Sequence, residues 1–234
     1  MVALPGSGSL ASLAQPLYRR ARRTGPSSRA TARSLHHLRR NALRVLGAVS
    51  AVEPFGTASS EQARCLQIST DPTIRRTWFG SYEVSVHNGS NSIDVQRIDR
   101  ADASYDIIVC NHVLEHVPDH RQALRELGRI LSDRGFLFVS VPDPIVRART
   151  EDWGSPDPDR WHHYREFGRD FAELLVQELP DLSIIEVRPV DDVTGDSDVA
   201  YILTRNRTWY RRARQLPFKL RVHATRPFAA ATTH

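Results

Sequence analysis

The chain has 234 residues, 40% hydrophobic and 25% charged, with 32 basic and 27 acidic residues and a net charge of +5. That size and balance suit one soluble domain with extensions. No apolar run approaches the roughly 18 residues of a membrane span, and no compact apolar segment precedes a small-residue cleavage site, so a secretory leader is not expected and a cytoplasmic location is. Cys65 and Cys110 both lie in apolar runs and read as buried small hydrophobes rather than a disulfide framework.

The charge is segregated. Residues 1–52 hold nine arginines and no acid, and residues 199–234 hold seven arginines, Lys219 and no acid. All 27 acids therefore lie between them, beside 15 arginines. The reading preferred for these arms is that they are solvated or fold back on the acidic core. Binding to nucleic acid or an anionic membrane surface, and a targeting role for the Arg- and Ser-rich start, are the other readings. Only one of the 32 basic residues is lysine, a GC-rich coding signature that weakens any argument from arginine alone.

Residues 1–30 are rich in Gly, Ser, Pro and Arg and read as disordered. Over 32–49, Leu35, Leu38, Ala42, Val45, Leu46 and Val49 recur at helical spacing and predict a basic amphipathic helix that caps the core or lies on a membrane surface. A linker follows over 53–60. Short strands are predicted over 64–69 and 82–86, separated by a turn or short helix at 73–79, and Asn88-Gly89 marks a turn. The near-continuous apolar run Tyr105–Cys110 predicts a strand covered on both faces. Ala123, Leu124, Leu127, Ile130 and Leu131 share one face of a helix over 120–131. A buried strand at 136–141, a helix at 168–179 and strands at 182–187 and 199–204 complete the pattern, with an acidic loop over 191–198. Strands alternating with helices predict an α/β fold built on a parallel sheet, and the last two strands predict an antiparallel closing pair.

The loop after the central strand, Asn111-His-Val-Leu-Glu-His-Val-Pro-Asp119, leads into that amphipathic helix and then Gly135-Phe-Leu-Phe-Val-Ser-Val-Pro142. This succession resembles the second half of a class I S-adenosylmethionine-dependent methyltransferase, of the type 11-like group, and the likeness extends over about 64–205. The resemblance implies a Rossmann-like, doubly wound, mostly parallel sheet with an antiparallel C-terminal strand pair, over 55–206. A basic arm over 1–54 with one amphipathic helix and a basic tail over 207–234 flank it. It implies S-adenosylmethionine as cofactor, held by Ser69, Thr70 and Asp71 after the first strand, His87 after the second, Asp94 and Val95 ahead of the third, and Asn111 and His112 after it. The family's Gly-rich loop is replaced here by Leu66-Gln-Ile-Ser-Thr-Asp-Pro72, and its ribose-binding acid by His87-Asn88. The first replacement resembles the "Leu-His-x-Ala/Ser-Pro-Glu" turn of a subgroup that also carries a downstream "Asp-His-Val-Arg-x-Tyr-Gly" segment, which His163-Tyr-Arg-Glu-Phe-Gly168 resembles.

The reaction so implied is methyl transfer to a small molecule. His116, His163 and Tyr164 are the candidates for acceptor-side chemistry, with His112 beside them. Arg165 reads equally as an anion ligand or an internal salt bridge. Trp153 and Trp161 flank a loop that either lids the acceptor or packs down. His112-Val-Leu-Glu-His116 also fits a His-x-x-Glu-His zinc pattern. That pattern needs a helical turn, and the preceding strand and Pro118 argue against one, so no metal is expected. The competing class is a binding or scaffold protein on the same fold. A bulky side chain from 70–74 filling the adenosine volume would favour it.

Overall fold

The structure is a computed structural model that describes residues 62–70, 74–188, 199–213 and 220–223. The predicted helix over 32–49, Asp71 and the acidic loop over 191–198 lie outside the described residues.

Nine strands are described: β1 (Arg64–Ile68), β2 (Ser81–Ser85), β3 (Tyr105–Asn111), β4 (Leu131–Ser140), β5 (Glu151–Asp157), β6 (His163–Glu166), β7 (Ser183–Val187), β8 (Ala200–Thr204) and β9 (Leu220–His223). Three α-helices join them: α1 (His120–Ile130), α2 (Phe171–Glu178) and α3 (Arg207–Ala213). Seven strands form one sheet in the order β2-β1-β3-β4-β8-β7-β9, and β5 and β6 form a separate hairpin. β1, β2, β3 and β4 pair in parallel, whereas β8 runs antiparallel to both β4 and β7. This is the Rossmann-like, mostly parallel sheet with its antiparallel C-terminal pair. Within the segment read as a basic tail, α3 and β9 are described, and β9 pairs antiparallel with β7.

The β3 sequence works because its side chains alternate between two covered faces. Ile108 and Cys110 join Leu66, Leu137 and Val139 under α1 and α2. Ile107 and Val109 join Cys65, Phe136, Ile74 and Trp209 on the other side. On α1, Ala123, Leu124, Leu127 and Ile130 are fully buried, each leucine stabilising by roughly 1.5–3 kcal/mol. Asp119 starts that helix by accepting a hydrogen bond from the Gln122 amide at 2.9 Å.

At the N-terminal ends of the strands, Asp106 ties three together. It accepts from the Arg64 amide at 3.0 Å, from the Arg64 side chain and from Ser132 Oγ at 2.9 Å. These bonds hold its carboxyl below the usual range even though burial acts the other way. The chain leaves β2, passes β1 and enters the sheet again as β3, so β1 and β3 are neighbours at the switch point where ligands of such sheets bind.

Candidate functional site

Register decides what meets at that switch point. Ile68 stands opposite Cys110, so Ser69 and Thr70 emerge beside Asn111 and His112. Both exits turn sharply: Ser69 has φ 66° and His112 φ 54°, a left-handed conformation rare for residues with a side chain. Their backbones are pinned there, with the Ser69 amide donating to the Ser85 carbonyl at 2.9 Å and the His112 amide to Ser140 at 3.0 Å. Local strain held by surrounding bonds is common at functional sites.

The remaining predicted cofactor residues divide. Asn111 is half-buried and its Oδ1 accepts from Ser140 Oγ at 3.0 Å. Val95 and Cys110 are buried in the core, so neither side chain lines a cleft. Asp94 is exposed, and its Oδ1 accepts from the Gln96 amide at 2.9 Å. Gln96 Oε1 in turn accepts from the Asp119 amide at 2.8 Å, which ties the Asp94 turn to the loop after β3. His87 is exposed at the end of β2, near enough to His116 to oppose its protonation. Ile74 is buried in the cluster beneath Cys65, on the sheet face away from Leu66 and Ile68.

The acceptor-side candidates are assembled by an element not expected from the sequence. The β5–β6 hairpin, with Asp152 opposite Arg165 and Asp157 opposite His163, packs over the loop after β3. That loop contains a single three-residue helical turn, Leu114–His116, rather than the longer helix a His-x-x-Glu-His metal site requires. The hairpin lays the His163 ring edge-on to His116, with centroids 4.6 Å apart. Trp161 and His162, at the hairpin's tip, both have positive φ. Trp161 is 46% exposed and 5.9 Å from the His163 ring. Trp153 packs down, donating from Nε1 to the His163 carbonyl at 2.9 Å and lying under Arg160.

Arg165 is internal, not an anion ligand. Its side chain is 2% exposed. Nη1 donates to the Leu114 carbonyl at 2.9 Å and to that of Val117, Nη2 to Pro118 at 2.7 Å, and Nε to Asp152 at 2.6 Å. One guanidinium thus fixes three carbonyls of the loop that carries His112 and His116. Tyr164 is half-buried, its ring 5.6 Å from that guanidinium.

Glu115 is the functional residue that sequence reasoning passed over except as part of a pattern. It is 1% exposed, and neither carboxylate oxygen has a hydrogen-bond partner on another residue among the described residues. Oε1 lies 3.6 Å from His112 Nδ1 and 4.0 Å from His116 Nε2. Burial pushes the Glu115 carboxyl up to about 8, against smaller opposing pulls from its own backbone amide and from Arg165. Burial also lowers His112 and His163 to about 4, with neighbouring imidazoles adding to the effect, and lowers His116. These three rings are neutral near pH 7.

A Rossmann-like sheet whose neighbouring parallel strands end in left-handed polar turns at its switch point has the architecture on which nucleotides and related cofactors bind. The profile of a methyltransferase-domain family matches residues 5–179, and the chain belongs to that family. Over 86 residues it is 34% identical to probable S-adenosylmethionine-dependent methyltransferases of two Mycobacterium tuberculosis strains. That stretch is 37% of this chain and 29% of those relatives' length. Among solved structures it is similar to the Burkholderia thailandensis 1,6-didemethyltoxoflavin-N1-methyltransferase, with bound 1,6-didemethyltoxoflavin and S-adenosylhomocysteine. The two share 16% identity over 86% of this chain and 92% of that one, with a TM-score of 0.42. A possible histamine N-methyltransferase of Thermotoga maritima aligns at 13% identity over 72% of this chain and 97% of its own, with a TM-score of 0.40.

Proposed function

We propose that the chain is an S-adenosylmethionine-dependent methyltransferase with a small-molecule acceptor. The observation that carries this reading is the switch point itself: Ser69, Thr70, Asn111 and His112 emerge together from parallel neighbours, in a chain of the methyltransferase-domain family. His112 Nε2 is buried and has no hydrogen-bond partner among the described residues, as a group awaiting a ligand would be. The residues present fit the cofactor. Asp94 and the Val95 backbone would hold the adenine end, His87, Ser69 and Thr70 the ribose and amino-acid ends, and Asn111 and His112 the centre. Ile74 packs on the far face of β1, so its side chain does not fill the adenosine volume, which favours an enzyme over a scaffold. When bound, the cofactor supplies an electrophilic methyl group on a sulfonium.

The protein's own contribution is alignment and exclusion of water, which such a transfer chiefly needs. Arg165 holds the loop that positions His112 and His116. His116, with 42% of its side chain exposed, is the candidate best able to reach an acceptor proton. His163 and Tyr164 are more enclosed and support it. Trp161 offers an exposed ring beside this pair, a surface on which a flat small molecule could stack. The test is transfer of labelled methyl from S-adenosylmethionine to panels of small molecules, peptides and RNA. Turnover confined to small molecules, falling about 100-fold or more in His116→Ala, is expected if His116 is the base. Turnover on peptides or RNA alone would overturn the acceptor assignment.

A further inference from the structure

Glu115 poses a problem that neither the fold nor methyl transfer solves. A carboxylate buried without hydrogen bonds is costly unless it is neutralised. Arg165 does not neutralise it by contact, because its bonded N–H groups are aimed at Asp152 and three carbonyls. What does surround it is imidazole. The ligand atoms of Glu115, His116 and His163 all lie within 4.8 Å of one another. His163 Nδ1 is buried and, like both Glu115 oxygens, has no partner among the described residues.

We infer that Glu115, His116 and His163 form a binding site for a divalent ion of the zinc class. Two imidazoles and one carboxylate are a three-ligand set that leaves a fourth position open, and borderline nitrogen ligands select Zn2+ or Co2+ over Mg2+ or Ca2+. Ligand atoms around a tetrahedral zinc are about 3.4 Å apart. The set must therefore tighten from 4.8 Å, a change within reach of side-chain torsions because His116 is half-exposed. The set differs from the His-x-x-Glu-His pattern of the sequence: His163 arrives from the β5–β6 hairpin, and His112 stands as an outer neighbour of Glu115. The existence of the site does not depend on the proposed methyl transfer. Its role does rest on that reading, with His116 then a ligand of the ion rather than the base: beside Trp161, the open position would take an oxygen or nitrogen of the acceptor.

The experiment is calorimetric titration of the chelator-treated full chain with Zn2+ and with Co2+, without cofactor, alongside the visible spectrum of the Co2+ form. The expected result is one ion per chain and a low-symmetry Co2+ spectrum. Both should be lost in Glu115→Gln and His163→Ala and kept in His162→Ala, whose side chain is exposed and outside the set. Should either buried variant fail to fold, His116→Asn, at a half-exposed position, must lose the ion instead. No ion bound by the wild type would overturn the inference, as would an ion retained in all three ligand variants, which would then sit elsewhere, as on His36 and His37. S-adenosylhomocysteine binding without an ion would leave the methyltransferase reading standing. Ion binding without S-adenosylhomocysteine binding would do the reverse.

Discussion

The exits of β1 and β2 and the exit of β3 meet at one edge of the sheet but are built differently. The first carries Ser69, Thr70, His87 and Asp94, which are exposed and held by few contacts. The second carries His112, Glu115 and His116 on a loop closed over by a hairpin and clamped by a buried arginine. Polar residues at the first exit can be exchanged with little effect on folding and a direct effect on ligand binding. At the second, fold and site are the same set of bonds, so substitutions there act on both.

The largest effect that follows is at Arg165. Arg165→Met would strand the carbonyls of Leu114, Val117 and Pro118 and leave Asp152 without its partner. It should cost about 3–5 kcal/mol in urea unfolding. A cost under about 1 kcal/mol would mean the clamp is not rigid. Gly168→Ala tests the base of the same hairpin: an added Cβ would stand 2.4 Å from the Arg149 carbonyl carbon and 2.6 Å from its oxygen. Because backbone must shift, a loss of about 1–3 kcal/mol is expected.

The fold was legible where burial writes a periodicity. Ile107–Cys110 and the Ala123, Leu124, Leu127 stripe name their elements because both depend on apolar spacing. β5 did not: Glu151-Asp-Trp-Gly-Ser-Pro-Asp157 has no strand pattern, and it is a strand only because β6 pairs with it. The site was legible in part for the same reason. The motif marked His112 and His116, yet it could not reveal that a hairpin 47 residues further on brings His163 onto them. Arg165 was ambiguous because a guanidinium serves a phosphate and a loop carbonyl with the same N–H groups. Glu115 was hidden because acids are seldom buried without a partner.

The next effect concerns that acid and has a definite sign. The folded value of Glu115, about 8, lies above the unfolded value near 4.3, so the native state keeps a proton that the unfolded chain has lost. Its contribution is complete below pH of about 4.3 and is lost as pH rises to about 8. In ion-free protein, Glu115→Gln should therefore unfold at a higher temperature than wild type. The gain should grow over that window to a few kcal/mol, at most about 5. His112, His120 and His163 act in the opposite sense. Their folded values, about 4, lie below the ordinary 6.5, so stability should fall as pH drops from 6.5 towards 4. Melting curves of both proteins between pH 4 and 9 measure the two slopes. A Glu115→Gln difference that stays flat with pH would show that the carboxyl is not held protonated.

The smallest effect on stability belongs to the first exit. Asp94→Ala removes an exposed carboxylate whose bonds are local to Gln96, so unfolding should change by no more than about 0.5 kcal/mol. That neutrality makes it the clean probe of the central claim. Wild type and Asp94→Ala are titrated calorimetrically with S-adenosylhomocysteine. The account predicts micromolar binding by the wild type, weakened about 10-fold or more in the equally stable variant. Equal binding by both would move the cofactor away from Asp94. No binding by the wild type at millimolar ligand would contradict the claim that this switch point is a cofactor site.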